Sequence, residues 1–296
     1  MKKIFLYGIF SLSLAITSCS SSDNNEGNNN DSAIDLAENV VSAENVLIYI
    51  PSPIETAELL KQAGAQYNKE ILNKPTSISK YSSTAAAALN LGVYGCDLAF
   101  AGIFDQTAET MIYMDCTRKL ADVLHVSAAF SDERKNRLEA NINKRDSVLA
   151  IITDAYSECD GLLQDNKQSE ASALMMAGGW VEGLFLACKI AETTNNNSIR
   201  IRIAEQRYSL DKLIKLLEKN KDEESVAITK DLKELQYFFN QLPKQEQQPV
   251  AVSKDSTTGV TVIGDDSEPA ESLNALEFKR ITDKISAIRS DIISKN

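Results

Sequence analysis

The chain has 296 residues, a net charge of −11 and a mean hydropathy of −0.22, with 43% hydrophobic residues. That length and apolar content suffice for a sizeable core, as one large domain or two small ones, and the acidic balance argues against nucleic acid as a partner. Aromatic residues are sparse, the 6 prolines cluster near 51–75 and 243–269, and Ala, Leu, Lys, Glu, Gln and Ile dominate, so the composition favours helix over sheet.

Chain order begins with a segment unlike the rest. Lys2 and Lys3 precede Ile4 to Ile16, a mostly apolar run too short to span a bilayer as a helix. Thr17 and Ser18 then lead to Cys19, completing the basic, apolar and small-residue parts of a secretory signal. The segment resembles a bacterial lipoprotein signal, with Ile16 where such signals usually carry Leu. The resemblance implies a signal peptide over 1–18 and lipid attachment at Cys19, which becomes the new N-terminus. One acyl chain holds a protein only marginally, at about 0.8 kcal/mol per buried CH₂. Lipoproteins usually carry several chains, so the resemblance implies stable anchoring. Ser20 after the cysteine, where Asp would favour the inner membrane, implies the outer membrane. Removing 1–18 takes Lys2 and Lys3 from the 31 basic residues, leaving 29 against 42 acidic ones, a net charge of −13.

Ser20 to Ser32 is almost entirely Ser, Asn, Gly, Asp and Glu, the composition of a flexible tether, here assigned to 19–32. Its SSSDNNE stretch resembles the acidic export signals of surface lipoproteins in the Bacteroidetes. A solvated linker reads the same way, so the periplasmic face and the cell surface both stay open.

Residues 33–296 read as a single helical domain. Val46 to Ile50 fits a short strand or the end of a leading helix. Ser52, Pro53 and Glu55 give a capping box with proline at the first position, predicting a helix to about Leu72, before Pro75. Ala85 to Phe104 is apolar nearly all round and predicts a central helix. Asp105 is the expected cap of a third, ending near His125. Ser131, followed by Asp132 and Glu133, starts a short fourth. Asn143 and Asp146 open the next, to about Asp165, and Ser169 to Glu192 is the sixth, closed by Asn195 to Asn197. Ile199, Ile203, Leu210, Leu213 and Leu217 recur at helical spacing, and Asp222 to Leu242 follows, stopped by Pro243. Pro243 to Pro269 is a polar insertion, either a disordered excursion or a small β-hairpin of Val250–Val252 with Val260–Ile263. Leu273, Ile281, Ile285, Ile288 and Ile292 stripe a last helix.

The expected fold is therefore all-α, a multi-helix bundle of about eight or nine helices around a common core. Leu91-Gly92 with Ala108 is similar to the start of a tetratricopeptide unit, but the gap is too long and the signature Trp and closing Pro are missing. The stretch LNLGVYGCDLAFAGIFDQT resembles uncharacterised helical lipoproteins of the Bacteroidetes, a resemblance that brings no activity with it.

Two acids stand out. Asp97 shares a helical face with Val93, Tyr94, Ala101 and Phe104, and Glu182 lies inside GGWVEGLFLACK. An ionised carboxylate in such a place is costly unless paired. One reading makes them paired carboxylates in a ligand pocket between the second and sixth helices, for a cation or for acid–base chemistry. The other has each reach a helix edge or bond a neighbouring Tyr or Arg, and spacing alone does not bring them together. Gly92, Gly95, Gly102, Gly178, Gly179 and Gly183 enrich the same helices. A glycine inside a helix costs about 1 kcal/mol relative to Ala, so close approach of two backbones is the expected return.

His125, the single histidine, reads as a capping or surface residue at a helix end. Cys96, Cys116, Cys159 and Cys188 lack zinc or redox spacing. Cys96 and Cys116 would sit roughly 6 Å out of register along neighbouring helices, at about 1.5 Å per residue, awkward for a bridge, so buried free thiols are expected, while an oxidising compartment and three possible pairings leave disulfides open. No nucleophile elbow, phosphate loop, zinc motif or EF-hand spacing occurs, and no cofactor or metal is expected. The expected function is thus a non-catalytic binding or scaffold module, held at the membrane by its lipid and serving an envelope protein partner. The alternative is a small-ligand receptor using Asp97 and Glu182.

Overall fold

The computed structural model describes residues 61, 64–194, 196–242 and 273–295, with strand residues 252–254 and 261–263, all within the compact unit Val41–Asn296. The signal at 1–18, the tether at 19–32, Val46 to Ile50 and the capping box at Ser52 lie outside the described residues.

Eight α-helices form the described body: α1 (Thr84–Ile103), α2 (Thr107–Val123), α3 (Asp132–Ala140), α4 (Arg145–Asp165), α5 (Ser169–Thr194), α6 (Asn197–Leu217), α7 (Glu223–Asn240) and α8 (Ala275–Ser294). The fold is an all-α multi-helix bundle. Within the polar insertion, β1 (Val252–Lys254) and β2 (Thr261–Ile263) pair antiparallel, Val252 opposite Ile263.

The helix expected to continue to Leu72 does not. Gly64 turns the backbone to φ +82°, its N–H bonding Lys61 O at 3.0 Å, and 65–68 is irregular. A positive φ suits glycine and ends helical continuation. The lead-in then makes two 3₁₀ turns, Lys69–Ile71 and Pro75–Lys80, the first capped by the Asn68 side chain.

Helices α1 and α5 are both long and apolar enough to cross a membrane, and both are enclosed by protein: the apolar window of α1 is 100% buried and that of α5 89%. They form the centre around which α2, α4, α6 and α8 pack. Their crossing is set by glycine. A Cβ on Gly92 would collide with Met175 O and Gly179 N, and one on Gly178 with Leu89 O, so the two backbones touch. On a neighbouring face, the Tyr156 ring of α4 fills the space a Cβ on Gly95 would need.

Three helix ends share one device. Asp105, His125 and Lys167 adopt φ of 56°, 60° and 60°, just past α1, α2 and α4. Each is followed by a residue whose N–H reaches back to the last turn: Gln106 to Ala101 O at 2.9 Å, Val126 to Ala121 O at 2.9 Å, Gln168 to Leu163 O at 2.8 Å. These are Schellman closures built without glycine. Asp105 therefore closes α1 and pairs with Lys61 at 2.7 Å, and does not cap α2, whose N-cap is Gln106. His125 is exposed at the end of α2. The asparagine run likewise does more than stop α5, since Asn196 caps α6 by accepting the Ser198 and Ile199 N–H groups.

Two glycines of similar helical position should respond oppositely to alanine. Gly92→Ala gains about 1 kcal/mol of helix propensity but forces backbone against backbone, and a net loss of about 1–3 kcal/mol is expected in urea unfolding. Gly161→Ala, with open space around its Cβ, gains up to about 1 kcal/mol. Lys167→Gly relieves a left-handed side chain and gains about 0.5–1 kcal/mol in the same assay.

Candidate functional site

The glycine crossing carries Asp97 of α1 against Glu182 of α5, and both are 0% exposed. Arg289, from α8, forks onto Glu182: Nε donates to Oε2 at 2.9 Å and Nη2 to Oε1 at 3.0 Å. Such a bidentate pair is the strongest arrangement the two groups can form. Nη2 also donates to Ile71 O at 3.3 Å, and the guanidinium lies 4.7 Å from the Phe185 ring centroid. Asp97 accepts the Asn73 N–H on Oδ2 at 3.0 Å, while its buried Oδ1 meets no donor among the described residues.

Burial pushes the Asp97 carboxyl well above the usual carboxylate range, and the neighbouring Glu182 charge pushes it further. Arg289 and the Asn73 N–H pull the other way and are outweighed. At Arg289, burial opposes the charge, but Glu182 more than compensates and the guanidinium is held protonated above its ordinary value.

A shell of neutral polar groups surrounds the three. Tyr113 and Tyr94 donate to Asn73 O and Lys74 O at 3.1 and 2.8 Å, holding the lead-in. Asn90 and Tyr81 donate to Ile292 O and Ile293 O at 3.2 and 3.0 Å, satisfying carbonyls at the end of α8. Asn73 Nδ2 links the two halves by donating to Tyr81 Oη at 3.1 Å. Backbone groups that a helix end and an irregular segment would leave bare are thus covered by side chains.

Asp97 and Glu182, picked out separately in the sequence, therefore meet, and an Arg completes them. Arg289 lies on the apolar stripe of α8, four residues after Ile285 and three before Ile292, so a buried cation was visible in that spacing. Asn73 and Tyr81 had no such signal, because their segment has no periodicity. Cys96, Cys116, Cys159 and Cys188 are free and buried. Burial pushes the Cys116 thiol up to about 11 and those of Cys159 and Cys188 to about 12, which makes them poor nucleophiles. Among the described residues no group of three or more His, Cys, Asp or Glu side chains could hold a metal. A groove of about 620 Å³ runs along α6 and α7, past Val226, Lys230, Lys233 and Tyr237, and neither acid lines it. Cys19 lies outside the described residues.

Removing one partner of a buried pair leaves the other charge unmatched. Arg289→Met is expected to cost about 3–5 kcal/mol, and the double variant Glu182→Met/Arg289→Met to recover most of that loss. Urea unfolding of the wild type and of the two variants compares them directly.

No family model matches the chain, and neither a curated protein nor a solved structure is similar to it, so the reading of this site rests on its own geometry.

Proposed function

We propose that the protein is an outer-membrane lipoprotein, anchored through Cys19, whose helical body is a non-catalytic binding or scaffold module for an envelope partner. The observation that carries the second half is the closed site. Asp97 and Glu182 are fully buried, and the cation a ligand would bring to them is already supplied by Arg289 of the same chain. A receptor or acid–base site needs groups that a ligand can reach. The first half is supported by Lys2, Lys3, the apolar run to Ile16 and Cys19.

The charge of the body gives the anchor a physical role. At −13 without the signal, the chain has no electrostatic attraction to an anionic leaflet. A lipid at Cys19 would hold at the membrane a body that its own charge does not draw there.

Growth with an alkyne-bearing fatty acid tests the anchor. The wild type should take up the label and sediment with outer membranes, whereas Cys19→Ala should lose the label and appear in the soluble fraction. Cross-linked pull-down from native membranes then tests the module: partners of the body should be recovered with the wild type. Robust turnover by the purified soluble body in a broad hydrolase and transferase screen would overturn the non-catalytic reading.

A further inference from the structure

The buried cluster contains two acids and one base. Arg289 uses Nε and Nη2 on Glu182, so its charge is matched there. Asp97, also fully buried, has one oxygen on the Asn73 N–H and one with no donor among the described residues. A lone carboxylate in that position is far more costly than the neutral acid. A proton on Oδ1 removes the charge and makes the bare oxygen a donor within reach of Glu182.

Among the described residues, no other group facing this centre supplies a compensating charge. Tyr67 and Tyr81 of the lead-in, Tyr94 and Cys96 of α1, Tyr113 and Cys116 of α2, and Tyr156 of α4 face this centre. Burial pushes every one of them up, so they stay neutral through the physiological range. Among the described residues, the charge at the centre is set by Asp97, Glu182 and Arg289.

We infer that Asp97 and Glu182 hold one proton between them, and that this proton is the catch of a pH-sensitive latch fastening residues 71–81 over α1 and α8. Without the proton the cluster carries an unmatched buried negative charge, and the local remedy is to admit water. Parting the helices to do so would break the backbone-to-backbone packing of α1 and α5 at Gly92 and Gly178, at the centre of the molecule. The cover on the other side is the lead-in, which has only 3₁₀ turns of its own. Beside the buried Leu72 and Tyr81 side chains, its polar attachments run through the cluster and its shell: Asn73 N–H to Asp97, Arg289 to Ile71 O, Tyr113 to Asn73 O and Tyr94 to Lys74 O. A segment held this way opens as a local unit.

The direction follows from proton counting. With the lead-in open, Asp97 meets water and titrates in the ordinary carboxylate range. With it closed, the carboxyl keeps its proton to a much higher pH. Between those two values the closed state binds more protons than the open one. The closing equilibrium therefore weakens as pH rises, by up to about tenfold per pH unit.

Hydrogen exchange read by mass spectrometry on peptides covering 69–81, corrected for the intrinsic pH dependence of exchange, tests this. From about pH 5 to about pH 8 the wild type should lose protection there with a limiting slope of about tenfold per unit, while peptides of α1 and α5 hold theirs. Asp97→Asn should remove the slope, because the amide accepts the Asn73 N–H and donates to Glu182 as the protonated acid does. Glu182→Gln should remove it by the opposite route, leaving Asp97 ionised against Arg289. The wild type alone should show the infrared C=O stretch of a buried carboxylic acid at pH 6, fading as protection falls. Wild-type protection that does not change with pH, an Asp97→Asn variant that keeps the slope, or a missing carboxylic-acid band would each overturn the inference.

Discussion

The charge balance of Asp97, Glu182 and Arg289 is the constraint around which this fold is arranged. The three come from α1, α5 and α8, separated by 85 and 107 positions in the chain. A buried ion pair contributes little net stability, since desolvation offsets most of its attraction. A buried charge whose partner is misplaced is severely destabilising, however. The cluster therefore acts by exclusion. A shift of α8 by one residue would turn Arg289 away from Glu182 and leave both charges in the core. The apolar stripe of Ile281, Ile285, Ile288 and Ile292 would tolerate several such registers by area alone; the guanidinium fork tolerates one.

Glycine makes that exclusion possible. Two helices with side chains at the crossing keep their axes about 8–10 Å apart. Gly92 and Gly178 let the α1 and α5 backbones meet, which brings Asp97 and Glu182 into one buried site. Each glycine lowers helix propensity locally, and the loss is returned as packing at the centre of the molecule. The same closeness forces the charge problem, because two acids at this separation cannot both ionise beside a single base. Packing and proton binding at this site are consequences of the same contact.

The helices were legible in the sequence because their signals are local. Ser131 and Asp222, read from the sequence as helix starts, cap with their side chains; Ser83 and Asn274 cap in the same way without having been singled out. The errors fall where chain geometry competes with composition. Asp105 has the chemistry of a cap but takes the left-handed position that closes α1. Pro75 is the first strong stop after Ser52 in the sequence, whereas Gly64 turns the chain earlier. The site was half legible. Asp97 and Glu182 were conspicuous as acids on apolar faces, but their meeting depends on a crossing that no spacing encodes. Asn73 and Tyr81 were invisible, because a side chain that serves a distant carbonyl has no sequence period.

The two central helices also show why hydropathy alone misjudges them. By length and composition α1 and α5 would suit a bilayer. Each carries a mid-helix acid, and in lipid, as in a protein core, that acid needs a partner. Here the partner sits on α8, and the opposite face of α8 is built for water. Lys279 and Asp283 pair there at 2.6 Å with both side chains largely exposed, and Lys284 reaches Asp231 of α7 at 2.9 Å. A helix that must hold Arg289 inward and these charges outward is amphipathic by necessity. It can lie only between an apolar centre and an aqueous surface. The ion cluster thereby fixes what covers the apolar pair: α1 and α5 are enclosed by protein, because the cation that matches their acids is carried by a helix with a wet face.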